Sequence, residues 1–243
     1  GVATLAMLYE SGARTILPPG YLCCGYPQLA AGHEQKGHQI TTQNRVLFHR
    51  VANTLNYLDI KTVIVSCGTC LDQLEKYEFE QIFPGSRIMD IHEYLMEKGF
   101  KLNQASDTRY IYHDPCHTPI KQQVPIEVAS ELMQQPVELT SRCCSESGTL
   151  ATARPDIAHQ LFTRKLESMQ EAKQKVQQGN ENAPVKCLTS CPACQQGLSR
   201  YEKLTGIETD YIVVELARQN YGEQWLDEFL DKVSHGGMEK VLL

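Results

Sequence analysis

Cysteine spacing constrains this chain more than any other feature. The ten cysteines are Cys23, Cys24, Cys67, Cys70, Cys116, Cys143, Cys144, Cys187, Cys191 and Cys194; eight of them form two adjacent pairs and two Cys-x-x-Cys pairs. The pairs repeat, with 120 residues from Cys23-Cys24 to Cys143-Cys144 and 124 from Cys67/Cys70 to Cys191/Cys194. A repeat of this kind predicts two similar halves. Lys61–Cys70 aligns with Val185–Cys194, which sets Ser66 over Ser190 and Cys187 over Val63. Cys187 therefore takes an apolar strand position, where a free cysteine acts as a small core residue. The remaining cysteine, Cys116, precedes Cys143 by 27 residues, and the same interval before Cys23 lands about five residues ahead of Gly1. That missing partner, and a start at Gly1 instead of Met within a helical pattern, predict a piece of a longer protein.

At 243 residues and 42% hydrophobic, the chain can bury a core without disulfide staples, and disorder, collagen and coiled coil are excluded. Nothing marks it as secreted, so metal or redox chemistry becomes the leading explanation for the cysteines. A net charge of -6, with no basic run interleaved with aromatics, argues against a nucleic-acid partner. No apolar run approaches the roughly 18 residues of a membrane span, and the start lacks the basic end of a signal peptide. The expected location is cytoplasmic.

Periodicity predicts a helix over Ala3–Ser11 and an extended run over Arg14–Leu17, stopped by Pro18-Pro19-Gly20 ahead of the Cys23-Cys24 loop. A helix over Thr42–Leu58, a strand over Thr62–Val65 and a further helix over Leu71–Tyr77 put Cys67 and Cys70 at a helix N-terminus, where amide donors favour thiolate. The second half repeats the programme with strand Arg109–His113, helix Ile126–Gln134, strand Val137–Leu139, a long helix from Pro155 to about Glu171, strand Val185–Thr189 and a helix from Pro192. The expected fold is α/β with two similar lobes, 1–102 and 109–243 joined by 103–108. Each lobe is a small parallel sheet flanked by helices, and every cysteine except Cys187 falls on loops at the carboxyl ends of strands.

Structural zinc usually takes two close pairs from one knuckle. Here the pairs within a half are 42 and 46 residues apart, and Cys116 brings a fifth thiolate to the second half. A fifth thiolate exceeds tetrahedral zinc but suits a multi-iron cluster, so count and spacing favour iron-sulfur, with zinc the alternative. Cys67-Gly-Thr-Cys70 and Cys191-Pro-Ala-Cys194 also read as thioredoxin-like dithiols, a third reading that the adjacent pairs weaken. Adjacent cysteines rarely bridge each other, which disfavours a static disulfide framework.

Cys23-Cys24-Gly25 with Cys67-x-x-Cys70, then Cys116 with Cys143-Cys144 and Cys191-x-x-Cys194, resembles the duplicated cysteine-rich CCG domain. That domain occurs in heterodisulfide reductase, in the iron-sulfur subunits of glycolate oxidase and anaerobic glycerol-3-phosphate dehydrogenase, and in lactate-utilisation proteins. The segments Pro18-Pro-Gly-Tyr-Leu-Cys-Cys-Gly-Tyr-Pro27, His113-Asp-Pro-Cys-His-Thr-Pro119 and Gly236-Gly-Met-Glu-Lys-Val-Leu-Leu243 are most similar to the carboxyl-terminal part of large bacterial fusions of an FAD-linked oxidase with ferredoxin-like and CCG modules.

The resemblance implies an electron-transfer module carrying one or two [4Fe-4S] clusters, non-cubane in heterodisulfide reductase. Cys116, Cys143, Cys144, Cys191 and Cys194 would form one complete site, and Cys23, Cys24, Cys67 and Cys70 an incomplete one that is empty, holds a cubane cluster or holds zinc. FAD would sit on a separate flavin dehydrogenase module, of 2-hydroxy acid type, with quinone or a disulfide as acceptor. Membrane contact would be indirect, at the inner face, if quinone is the acceptor. Ser145 departs from the family's Gly after the second pair.

His113 and His117 flank Cys116 and are candidates for donating to cluster sulfur or carrying protons, against a plain reading as loop histidines. His33 and His38 read as surface residues, and Arg45 and Arg142 as solvated residues or charge partners of thiolate. No G-x-G-x-x-G, P-loop or H-E-x-x-H is present. The rival from another class is a zinc-stabilised docking domain without redox activity.

Overall fold

Short apolar runs bounded by cysteines, glycines and prolines fold into two parallel sheets wrapped by helices. The computed structural model describes residues 1–18, 22–145 and 150–236. Chain order is α1 (Val2–Glu10), α2 (Tyr26–Ala30), α3 (Glu34–Thr54), β1 (Thr62–Val65), α4 (Gly68–Leu74), α5 (Phe79–Ile82), β2 (Arg87–Asp90) and α6 (Ile91–Glu97). It continues with β3 (Arg109–His113), α7 (Pro125–Met133), β4 (Glu138–Leu139), α8 (Leu150–Ala153), α9 (Pro155–Val176), β5 (Val185–Thr189), α10 (Pro192–Ser199), α11 (Glu202–Thr205), β6 (Glu208–Tyr211), α12 (Ile212–Tyr221) and α13 (Trp225–Ser234). β1 pairs with β2 in parallel, Thr62 opposite Arg87, and the second sheet has the order β4-β3-β5-β6, all parallel.

The duplication is visible in the element order. β1–α4–β2–α6 repeats as β5–α10–β6–α12, and the long helices α3 and α9 begin 121 residues apart. β3 and β5 alternate between two cores, as strands buried on both faces must. Tyr110, Tyr112 and Leu188 face a large core that also holds Met7, Met89, Leu95, Leu132 and Leu216; Ile111, Val185 and Cys187 face a smaller one with Met169 and Leu198. The large core draws on both sheets and both ends of the chain. A third, aromatic cluster of Phe48, Tyr77, Phe79 and Phe83 packs under α3.

Most expected elements appear within a few residues of their expected limits; two differ, α9 runs five residues past its expected end near Glu171, and two strands are additional. Arg14–Leu17 does not form a strand; only Leu17 makes an isolated bridge. α3 starts at Glu34, eight residues before the apolar pattern begins, because its first turns are polar and exposed. β2 and β6, four residues each, are additional strands too short to carry a readable period. The segment around the expected joint is tied down: the Asn103 amide donates to Asn220 Oδ1 at 2.8 Å and Asn220 Nδ2 donates to the Lys101 carbonyl at 3.0 Å. Residues 19–21 of the Pro18–Pro27 motif and 237–243 of the terminal motif lie outside the described residues.

Because β3 leads through α7 to β4 on one side, and the chain then returns across to β5 on the other, the order reverses between β3 and β5. In open α/β sheets the crevice outside the carboxyl ends at such a reversal is where ligands bind. Cys116 follows β3 and Cys191 follows β5, so the fold carries these cysteines to that place.

Candidate metal centre

Cys67 and Cys191 are the N-cap residues of α4 and α10, both in extended backbone. Cys70 and Cys194 lie inside the first turns of those helices, not in the loops before them. This puts one sulfur of each Cys-x-x-Cys beside free amide donors, which stabilise thiolate. In the second half Cys144 Sγ lies 3.2 Å from Cys194 Sγ and Cys116 Sγ 4.0 Å from Cys143 Sγ. In the first half the Cys24 and Cys67 thiols both interact with Cys70. No disulfide joins any of the ten cysteines.

The two sets are continuous. The Cys67 thiol interacts with that of Cys191, so a chain of neighbouring sulfurs runs Cys24–Cys70–Cys67–Cys191–Cys194–Cys144. Spacing along the chain could not show this meeting. The hydroxyl of Tyr211, at the end of β6, reaches the carbonyl of Ser190 at 3.0 Å and also the carbonyl of Ser66, the residues just before Cys191 and Cys67. One phenol thereby ties both N-caps together, and nothing local in the sequence marks it.

The thiols perturb one another as a crowded array must. Hydrogen bonding from Cys191 and Cys70 pulls the Cys67 thiol far down, to about 2, and bonding from Cys70 draws Cys24 to about 6. Cys194 and Cys143 are pushed up, first by their bonds to Cys144. Some members of the array ionise while their neighbours keep protons, and a cation that displaces those protons gains every thiolate. Cys187 differs: it is fully buried in β5, and burial pushes its thiol up to about 12, as a core cysteine should be.

The adjacent pairs sit in loops held from the long helices. In the first half Asn44 of α3 is buried, and its amide donates to the Cys23 carbonyl at 2.7 Å and to the Tyr77 hydroxyl at 3.0 Å. In the second, Lys165 of α9 is fully buried. Its ammonium donates to the Ser141 carbonyl at 3.0 Å, to Thr140 Oγ1 and to the Arg142 carbonyl at 3.4 Å, and lies 3.0 Å from His113 Nδ1. Sequence reasoning missed Lys165. Its signal was a lone charge on the apolar stripe Phe162, Leu166, Met169 and Ala172.

The candidate histidines separate. His113 ends β3, buried, with its ring beside Cys144 and Cys194; burial lowers its pKa and the Cys144 thiol opposes this. His117 is exposed and bonds Asp72 of α4 at 2.6 Å through Nδ1, while Lys121 pairs with the same carboxylate at 2.8 Å. His33 and His38 are exposed. Arg45 pairs with Glu78 at 3.5 Å, and Arg142 is exposed with φ of 74°.

The position after each adjacent pair is left-handed, φ 85° at Gly25 and 59° at Ser145. Glycine adopts this freely, whereas Ser145 does so with its hydroxyl on the Cys144 carbonyl at 2.7 Å and its amide on Cys143 Sγ at 3.3 Å. A Cβ on Gly25 would stand 3.1 Å from the Gly37 carbonyl oxygen. Gly25→Ala is therefore expected to cost about 1–2 kcal/mol through the left-handed penalty and this crowding. Ser145→Ala, where a Cβ is already accommodated, should lower the midpoint by less in a parallel thermal melt.

Among the described residues no helix is long and apolar enough to cross a membrane. A family model described as a cysteine-rich domain, CCG, matches residues 2–75 and again 110–199, and a domain of unknown function matches 199–243. The chain is 25% identical over 226 residues to an uncharacterized iron-sulfur protein of Methanococcus maripaludis, covering 89% of this chain and 42% of that protein. It is 28% identical over 203 residues to a subunit of the fumarate reductase (CoM/CoB) of Methanothermobacter marburgensis, covering 80% and 37%. It is 22% identical over 210 residues to lactate utilization protein A of an Exiguobacterium species, covering 77% and 80%. The chain thus spans less than half the length of the first two relatives, and no solved structure matches it. With the two matches falling on the two repeats and taking in both adjacent pairs, the chain belongs to the cysteine-rich CCG domain family.

Proposed function

We propose that this chain is the iron-sulfur electron-transfer part of a flavin-linked oxidoreductase. The observation that carries the reading is the convergence of cysteines from both halves on one array, joined at Cys67 and Cys191. The donor chemistry fits iron-sulfur: an array dominated by cysteine sulfurs, with the His113 ring beside two of them, two Cys-x-x-Cys sulfurs at helix N-termini, and more sulfurs than tetrahedral zinc uses. Cys116, Cys143, Cys144, Cys191 and Cys194 would hold one cluster, and Cys23, Cys24, Cys67 and Cys70 a second site.

A bound cluster supplies one-electron transfer, and the rest falls to the chain. The first-turn amides stand beside Cys67 and Cys191, of which Cys67 is held as thiolate while, against its bond to Cys194, its bond to Cys67 and burial push Cys191 up. The long helices hold the adjacent-pair loops, and Tyr211 fixes the spacing between the halves. Relatives named as iron-sulfur proteins and as subunits of a fumarate reductase and a glycolate oxidase support an oxidoreductase partner. The finer reading is a flavin module acting on a 2-hydroxy acid and passing electrons, through a ferredoxin-like domain, to this one, with quinone or a disulfide as acceptor.

Metal analysis of protein purified without oxygen tests this. About four to eight irons per chain with matching acid-labile sulfide are expected for one or two four-iron clusters. Zinc alone, without sulfide and without iron after anaerobic reconstitution, would instead establish the zinc-stabilised docking domain.

A further inference from the structure

We propose that Lys165 is a positioning residue that makes the second half's cluster the stronger electron acceptor of the two, and so gives the relay a direction from the first half to the second. The inference rests on the cluster reading above and concerns an asymmetry inside the duplication. α3 and α9 are equivalent helices offset by 121 residues, which places Asn44 over Lys165. Both side chains are buried and both reach the loop of the adjacent cysteine pair, Asn44 at the Cys23 carbonyl and Lys165 at the carbonyls of Ser141 and Arg142. The geometry is shared, but one half uses a neutral amide and the other an ammonium.

The surroundings are built for the charged form. Two carbonyls and the Thr140 hydroxyl accept from Lys165 Nζ, and His113 Nδ1 is the fourth neighbour. An ammonium has three N–H donors for these four neighbours, so at least one of the contacts is shared. Burial lowers the Lys165 pKa from the ordinary lysine value, and negative charge on the sulfurs of Cys187, Cys144, Cys194 and Cys143 would oppose this; all but Cys187, which stays a core thiol, belong to the proposed site. Among the described residues no carboxylate pairs with Lys165. A buried cation is costly, and in the loaded site the thiolates holding the cluster would supply the compensating charge.

A fixed positive charge favours the more negative, reduced state of a neighbouring cluster and raises its potential. The first half has no such charge at the equivalent point, since Asn44 is neutral and Arg45, the next residue, is engaged with Glu78. Electrons entering the first half therefore run downhill to the second, whose Cys116 is exposed to an acceptor.

The test is an anaerobic redox titration followed by absorbance and electron paramagnetic resonance, with iron and sulfide measured on every sample. Lys165→Met should lower the step that is lost in Cys144→Ser and leave the other step in place. A shift of about 59 mV or more, a tenfold change in the reduced-to-oxidised ratio for one electron, is expected. Lys165→Arg, which keeps the charge, should restore the step to within a fraction of that shift. If Lys165→Met loses iron, Asn44→Lys carries the test by raising the first half's step toward the second's. Unchanged potentials in an iron-replete Lys165→Met protein, or an unmoved lower step in Asn44→Lys, overturn the inference while leaving the cluster reading intact. Absence of iron and sulfide from the unsubstituted protein overturns both.

Discussion

Replacing Gly68 with alanine is expected to destabilise this protein by about 3 kcal/mol or more, the upper end of what overpacking costs, because nothing near the new methyl can give way. A Cβ built there would lie 1.6 Å from the His117 carbonyl oxygen and 2.6 Å from its carbon, both main-chain atoms of the loop that follows β3. Gly68 opens α4 in the first half, and His117 belongs to the second, so the contact is one of those by which the two halves touch. To admit the methyl, the loop carrying Cys116 must withdraw from the helix carrying Cys70, and the Asp72 bonds to His117 and Lys121 are lost with it. For a chain of this size the melting temperature should fall by about 6–12 °C. The equivalent residue of the second half, Pro192, is exposed, and Pro192→Ala should cost less than about 1 kcal/mol. Equal melting temperatures for Gly68→Ala and the unsubstituted protein would show that the halves do not meet as closely as described.

The second large effect is on metal content. Cys144→Ser and Cys191→Ser should each strip iron from the second half, because serine at these positions offers a hard, seldom ionised oxygen where a soft thiolate is needed. Cys144 is buried with its sulfur 3.2 Å from that of Cys194, so its loss leaves a gap that solvent ligands cannot readily fill. Cys191 is the sulfur that meets Cys67, and its replacement should also disturb the first half. About half or more of the iron and sulfide should be lost in each variant if each half carries a four-iron cluster. Cys187→Ala is the internal control. Its thiol is a core group in β5, so iron should be retained while stability falls modestly for the small volume removed. Full iron retention in both serine variants would sink the ligand assignment.

These two experiments probe features of different legibility. The cysteine pairs, their repetition and the strand–cysteine–helix order around Cys67 and Cys191 are local, and pattern and spacing expose them in a single chain. β1, β3 and β5 are readable for the same reason, since buried parallel strands appear as compact runs of β-branched and aromatic residues. Cys187 is legible as core because its repeat partner is Val63. The extended run at Arg14–Leu17 misleads, since β-propensity becomes a strand only where a neighbour supplies hydrogen bonds, and there only Leu17 finds one.

What the sequence by itself determined is the chemistry available: two repeats, each with an adjacent pair and a Cys-x-x-Cys pair, the latter following a strand and opening a helix, whereas the expected strand before Cys23-Cys24 does not form. Tertiary structure alone decided which sulfurs meet. The contact of Cys67 with Cys191, the bridging of both caps by Tyr211 and the closeness of Gly68 to His117 join residues dozens to more than a hundred positions apart. The same holds for Lys165, whose charge is ordinary on an isolated helix and becomes decisive only when α9 packs against the Cys143-Cys144 loop and removes it from water. Local sequence sets backbone preference and donor type over a few residues, whereas distance, burial and electrostatic coupling between sites exist only once the chain has closed on itself.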